Sequence, residues 1–331
     1  MRARSLVVLL LAVLVVVVAT AASLAFGARS VGLATLLTAW TDYVPADADH
    51  AVAHARLPRT VLGLLVGGAL GLAGAAMQGV ARNPLADPGI LGVNAGAAFA
   101  VVVAIAWLGV GGLSGYVWFS FVGAAVAAVL VYSVASIGRE GATPFKLALA
   151  GAATTAGLVS LTSAVFVTDQ EVYDRYRFWE VGSVGGRGWP VVTTVLPFLV
   201  LAALVALGTG RVLNGLALGD DTARALGQRV GLARCLTALA VVLLCGSATA
   251  AAGPIAFVGL VVPHVARSLA GGDYRWLLPT SCLLGAALLV VADAVGRVVA
   301  PPTEIQAGLM TAVIGAPVFI WLVRRRRVVG L

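Results

Sequence analysis

The chain has 331 residues, of which 60% are hydrophobic and 11% charged, with a mean hydropathy of +1.02 and a formal net charge of +8. A soluble domain carries about 25% charged residues, and a soluble globule must cover itself with polar groups that this composition lacks, so a soluble enzyme or a nucleic-acid-binding domain is excluded in spite of the basic balance. The apolar residues, 60% of the chain, suffice for roughly ten helices of the ~20 residues that cross a bilayer, and the alternating ten-residue segments of a membrane β-barrel are absent.

Taken in chain order, the apolar runs predict spans at 6–27, 58–80, 90–110, 116–137, 146–168, 190–209, 232–251, 255–270, 276–297 and 304–323. The first has the basic start (Arg2, Arg4) and small-residue tail of a signal peptide, but its apolar run is longer than such a segment needs, and it reads as the first helix. Between the second-to-last pair of long polar breaks, Gly253-Pro254 interrupts 232–270, which is compatible with two helices or with one broken helix and a re-entrant turn. The three cysteines (Cys235, Cys245, Cys282) sit singly in apolar runs and read as small buried hydrophobes.

Ten spans put both termini on one side. With the N-terminus inside, the inner segments hold fifteen basic residues (Arg2, Arg4, Arg82, Arg139, Lys146, Arg211, Arg224, Arg229, Arg234, Arg267, Arg275 and Arg324 to Arg327), and the outer segments hold seven (Arg29, Arg56, Arg59, Arg175, Arg177, Arg187 and Arg297). Five carboxylates fall inside and nine outside. This is the asymmetry of the positive-inside rule, and it supports both the count and the orientation.

The connections are expected to be simple. An amphipathic SVGLATLLTAW (30–40) and a polar turn, TDYVPADADH (41–50), precede the second span. His50 and His54 beside Asp47 and Asp49 have the spacing of a metal site, but read as a solvated loop. The outer stretch 169–189 is aromatic and charged, with Trp179 and Trp189 suited to an interfacial belt. The largest inner loop runs from Gly210 to Arg234, and His264 reads as a polar contact near an inner helix end. A shift of 175 residues aligns 57–76 with 232–251 at 8 of 20 positions, and the opposite entry of the two segments suggests the inverted repeat common in transporters.

Few groups in the spans could do chemistry. Gly63, Gly67 and Gly71 form a four-residue stripe, continued by Ala75 and Gly79, that allows close helix packing or lines a smooth path. Asp293 and Arg297, one turn apart at the outer end of the ninth span, read as a local interfacial salt bridge. The absence of ionisable residues in mid-membrane argues against a proton-driven carrier, and the P-loop motif G-x-x-x-x-G-K-[ST] is missing, so this chain does not hydrolyse ATP by that route. By physics alone, an ion-coupled secondary transporter is the main rival to a subunit driven by a separate motor.

Three stretches carry a resemblance: RLPRTVLGLLVGGALGLAGAAMQGVARNPLADPGILGVNAGAA (56–98), LGDDTARALGQRVGLAR (218–234), and GPIAFVGLVVPHVARSLAGGDYR (253–275) with DAVGRVVAPPTEIQAGLMTAVIGAPVFIWLVRR (293–325). In order and spacing they resemble the FecCD permeases of ABC importers for ferric siderophores, haem and vitamin B12. The resemblance implies an all-α integral membrane protein with the type II ABC importer permease fold and cytoplasmic termini, a single permease domain in a bacterial cytoplasmic (inner) membrane. It implies a second permease copy or paralogue, two cytoplasmic ATPase subunits that hold ATP and Mg, and an extracytoplasmic substrate-binding lipoprotein, with no cofactor or metal in this chain. It assigns binding-protein docking to Arg56, Arg59 and Arg297, and ATPase coupling to Gly219, Asp220, Thr222, Ala223, Leu226 and Gly227. In the coupling segment, Asp220 or Asp221 would cap a short helix, Gly227 would end it, and Ala223 and Leu226 would face the partner. The translocation path and its helix packing fall to Gly63, Gly67, Gly71, Gly253, Pro254 and Gly259. The cargo it implies is a ferric siderophore or similar chelate, with haem and cobalamin as alternatives.

Overall fold

The computed structural model describes residues 2–326 apart from 28, 30, 45, 111, 112, 139–142 and 302. Arg139 and Arg327, two of the basic residues expected inside, lie outside the described residues. Among the described residues there is no strand. The ten predicted spans become α1 (Arg2–Ala25), α3 (Ala48–Ala81), α4 (Val93–Leu108), α5 (Leu113–Ala135), α6 (Pro144–Thr168), α8 (Trp189–Gly208), α11 (Val230–Ala252), α12 (Val258–Ala270), α13 (Tyr274–Val299) and α14 (Ala307–Arg326). Four short helices join them: α2 (Leu33–Thr41), α7 (Gln170–Glu180), α9 (Gly210–Ala217) and α10 (Asp220–Ala225). Seven of the helices (α1, α3, α5, α6, α8, α11 and α13) are long and apolar enough to cross a bilayer, while α4, α12 and the apolar part of α14 are shorter. Large apolar side chains on α1, α5, α6 and α8 stay exposed, as a lipid solvent permits and water does not.

The centre of the fold is α3, which packs along α13, α11, α12 and α8. Its glycines explain how. A Cβ at Gly67 would overlap the Gly285 carbonyl of α13, one at Gly71 the Ser281 carbonyl, and one at Gly74 the Gly259 backbone of α12. With no hydrophobic drive between helices in lipid, association comes from dispersion between closely approaching backbones. The Gly63, Gly67, Gly71 stripe and Gly259 are therefore buried against the chain's own helices.

Three expectations are changed and one open alternative is resolved. First, α3 starts at Ala48, ten residues before the predicted 58, because the Asp47 side chain caps it by accepting from the Asp49 N–H at 2.8 Å. His50 and His54 consequently stand on a helix and not in a solvated loop. His50 is buried, accepting at Nδ1 from the Val44 N–H at 3.1 Å, with Nε2 3.2 Å from Thr38 Oγ1, and His54 Nε2 lies 2.9 Å from the Ala39 carbonyl. These bonds fasten α2 to α3.

Second, 169–189 is exposed along much of its length but sends several side chains inward. It contains α7, capped by Asp169 on the Glu171 and Val172 N–H groups, and Tyr176 and Trp179 are buried in an aromatic cluster with Phe166 of α6. Trp179 is thus a core residue, whereas Trp189 is exposed. Third, Gly253-Pro254 separates two helices, α11 and α12. Gly253 has φ +77° and ends α11 where a Cβ would overlap the Trp179 carbonyl, the Pro254 carbonyl lies against Gly182, and Phe257 opens α12 at φ +68°, a conformation costly for a bulky residue. Fourth, the cysteines are not alike: Cys245 is buried, Cys282 half-buried and Cys235 exposed.

Helix–helix contact at this distance tolerates no added atoms. Gly71→Val should lower the thermal unfolding midpoint in detergent sharply, in line with a strain of about 3 kcal/mol. Gly157→Val on α6, where a Cβ meets nothing within 4 Å, should leave that midpoint nearly unchanged.

Candidate functional site

The glycine seam between α3 and α13 fixes what happens at their far ends. Arg59 stands eight residues before Gly67, and Asp293 eight residues after Gly285, so two antiparallel helices in contact at Gly67 and Gly285 bring this acid and base together. Arg59 Nε lies 2.9 Å from Asp293 Oδ2 and Nη2 lies 2.8 Å from Oδ1, a side-on pair, while Nη1 donates to Glu304 Oε2 at 2.7 Å. Asp293 also pairs with Arg297 at 3.2 Å. The expected interfacial bridge between Asp293 and Arg297 is therefore part of a larger cluster, and a buried one: the side chains of Asp293 and Arg297 are 3% and 2% exposed. Burial of such charges is tolerable only because each is paired and hydrogen-bonded.

Arg56 and Arg297 have a further task. The last carbonyls of a helix have no intrahelical partner. At the end of α1, Arg297 Nη1 donates to the Ser23 and Phe26 carbonyls at 3.1 and 3.2 Å, and Nη2 to Ser23 Oγ at 2.8 Å. Arg56 Nη1 donates to the Leu24 and Ala25 carbonyls at 2.8 and 3.0 Å, and Nη2 to the Arg29 carbonyl. Two guanidiniums thus cap the negative end of the α1 dipole. Of the three arginines assigned to docking, Arg56 and Arg297 are buried in this way, and Arg59 keeps more of its side chain open, 13%.

All three line a cleft of about 460 Å³ together with Arg29, Arg187 and Glu304. The segment 181–188 that follows α7 forms one wall: a Cβ on Gly185 would stand 3.2 Å from Arg59 Cζ. The same segment is bonded inward, Ser183 N–H to the Ala252 carbonyl at 2.7 Å and Gly308 N–H to the Gly182 carbonyl at 2.9 Å, so it touches the Arg59 site, the α11–α12 break and the start of α14. Arg187 is buried, and its Nη1 has no acceptor among the described residues. Burial holds this guanidinium at about 10, below the ordinary arginine value.

At the opposite end of α3 lies the coupling segment. Gly219 and not an aspartate is the N-cap of α10, since Asp220 and Asp221 stand in its first turn. Asp220 bonds Arg234 at 2.9 Å and pairs with Arg82 at 3.4 Å, tying α10 to α11 and to the end of α3, and Asp221 pairs with Arg224. Gly227 ends the helix as expected: its N–H reaches the Arg224 carbonyl and that of Gln228 the Ala223 carbonyl, the paired bonds of a Schellman turn. Ala223 and Leu226 do not share an exposed face. Ala223 is fully buried, while Leu226, at the cap where the helix has ended, is 64% exposed; Thr222 is exposed beside it. On the same face Asp273 caps α13 and binds Asn214 of α9 at 2.6 Å. Its bonds to Arg275 and Asn214 hold the Asp273 carboxyl below the usual carboxylate range.

Among the described residues no group of three His, Cys, Asp or Glu is placed to hold a metal ion. The sequence reading missed Glu304, the inward-facing 181–188 segment with Arg187, and the left-handed Phe257. Only Arg187 gave a signal, as one of the few basic residues expected outside.

The model of the FecCD transport family matches residues 13–325. The chain belongs to the FecCD transport family. FecCD relatives include the ferric enterobactin transport system permease protein FepD of Escherichia coli (strain K12), 47% identical over 95% of this chain and 93% of that protein. The hemin transport system permease protein HmuU of Yersinia pestis is 34% identical over 92% of each. A solved structure titled as an inward-facing conformation of a metal-chelate type ABC transporter superposes with a TM-score of 0.84 at 28% identity, covering 97% of this chain and 99% of that one. This FecCD chain is accordingly a multi-pass membrane permease subunit of an ABC importer, and the ATPase of the importer is a separate chain.

The buried charge cluster contributes to the stability of this end of the FecCD chain's helices. Asp293→Ala would leave Arg297 and Arg59 short of their shared counter-charge, and removing one partner of a buried pair costs about 3–5 kcal/mol. Its unfolding midpoint in detergent should fall steeply, while that of Glu304→Ala, at a half-open pair worth about 0–1 kcal/mol, should barely move.

Proposed function

We propose that this permease forms, with a second copy or a paralogue, the path by which a ferric siderophore or similar ferric chelate crosses a bacterial cytoplasmic membrane. A binding protein delivers the chelate to the outer face, and ATP hydrolysed on two inner subunits switches the permease pair between outward- and inward-open states. The observation that carries this reading is the likeness, over nearly the whole chain, to relatives named as permeases for ferric enterobactin, ferric dicitrate and hemin. The outer cleft and the exposed end of α10 supply the two faces that such a path needs.

In this reading all ten helices cross. At 1.5 Å per residue, the 13 residues of α12 cover about 20 Å of a ~30 Å core, and the extended 253–257 segment completes the crossing. Non-helical backbone can be carried at this depth where neighbouring protein satisfies it, and at the start of the segment the Gly253 N–H donates to the Thr249 carbonyl while Ser183 N–H satisfies the last carbonyl of α11, that of Ala252. Both termini are inside, on the strength of the charge asymmetry.

Docking is assigned principally to Arg59, with Arg56 and Arg297 holding the frame around it. Coulombic complementarity at such a face governs orientation and on-rate more than affinity. Coupling is assigned to the exposed Leu226 and the first-turn residues of α10, held in place by Asp220, with Ala223 as their internal support.

The test is reconstitution with the cognate ATPase and binding protein in liposomes, followed by uptake of radiolabelled iron presented as a ferric catecholate, ferric citrate or haem. ATP-dependent accumulation of a ferric chelate is expected, and accumulation that persists without the ATPase would overturn the reading in favour of an ion-coupled carrier. Leu226→Asp should insert normally but lose stimulated ATP hydrolysis by roughly tenfold or more, the size of losing an interface anchor worth about 1.4 kcal/mol. Unaltered stimulation in that variant would refute the coupling assignment.

A further inference from the structure

In the outer cleft an internal acid occupies the seat that a partner's acid would need. Arg59 spends Nε and Nη2 on Asp293 and turns Nη1 towards Glu304. The two acids are differently held. Asp293 is enclosed, whereas the Glu304 side chain is 41% exposed. Glu304 lies in the non-helical stretch between α13 and α14, where the next residue, Ile305, is fixed by its N–H to the Gly296 carbonyl at 3.0 Å. The backbone is pinned there, and the carboxylate alone is placed to leave.

The charge of the cleft favours an additional anion. Five arginines line it, and their carboxylate partners among the described residues are three: Asp49 on Arg29, Asp293, and Glu304. Arg187 keeps a buried Nη1 with no acceptor. A protein surface that brings a carboxylate to this cleft meets a cationic surplus, but it meets Arg59 with Nε, Nη1 and Nη2 each already bonded to an internal acid.

We infer that Glu304 is an exchangeable internal ligand of Arg59. It satisfies the arginine while the outer face is empty and yields Nη1 to a carboxylate of the docking protein. The displaced Glu304 remains in the cleft, which Arg187 also lines. The inference rests on the docking reading given above and specifies its chemistry: the partner is a protein presenting acidic side chains, and docking is a carboxylate-for-carboxylate exchange. An isolated acidic group on an unrelated protein gains nothing from such a trade, so the internal acid also acts against wrong partners, as repulsive elements in specific interfaces do.

Binding to the full transporter in lipid nanodiscs tests this with the ligand-loaded binding protein as probe. Glu304→Gln, and Glu304→Ala as a second form of the same change, should slow dissociation by about two- to fivefold, the worth of a half-exposed ion pair. The gain should shrink at about 0.5 M salt, where screening is short-ranged. Arg59→Gln should weaken binding, and in that background Glu304→Gln should have no effect. If Arg59→Gln weakens binding while both Glu304 variants leave it unchanged or weaker, the exchange is overturned and docking at Arg59 stands. If Arg59→Gln leaves binding unchanged, the docking reading fails and the exchange with it.

Discussion

The charge cluster around Arg59 depends on how close α3 comes to α13. Gly67 and Gly71 meet Gly285 and Ser281 with no side chain between the two backbones, and this sets an antiparallel register that larger residues would push apart. Once the register is set, Arg59 and Asp293 meet two helical turns away without any further adjustment. The small residues do no chemistry, yet they determine which charges become partners. In lipid this is the available strategy, since apolar side chains gain little by leaving lipid for protein.

The charges that result divide into two kinds. Asp293, Arg297 and Arg56 are enclosed, hydrogen-bonded, and committed to holding α1, α3 and α13 together. Glu304 and one edge of Arg59 face the cleft. The first kind is expensive to disturb and the second is cheap. A face that must engage and release a partner in each cycle is best built from the cheap kind, supported by the expensive kind behind it.

The sequence made the spanning helices legible because apolar length is a strong signal, and helix ends generally fell within a few residues of the breaks. It misled where polarity was used for internal bonding. The polar stretch before Pro58 looked like a turn, but Asp47 caps a helix there and His50 bonds back to α2. The aromatics of 169–189 looked interfacial, since Trp179 in sequence has the same surroundings as Trp189. The difference comes from Tyr176, which packs against Trp179 and in turn against Phe166 in three dimensions. The arginines expected at the outer face were legible as a group, but that Arg56 and Arg297 cap α1 could not be read, because the acceptors are backbone carbonyls 27 to 32 residues away for Arg56 and at the other end of the chain for Arg297. In the coupling segment Gly227 could be read as a terminator, whereas the burial of Ala223 depends on neighbours that a six-residue helix does not reveal.

The capping of α1 by Arg297 also bears on biogenesis. The end of α1 carries carbonyl acceptors whose donor is a residue made some 270 positions later. Until α13 arrives, α1 must rest with that end at the water-facing boundary or against the insertion machinery, and Arg56 can settle it only in part. Closure of that end of α1 therefore waits on a helix from the far side of the sequence.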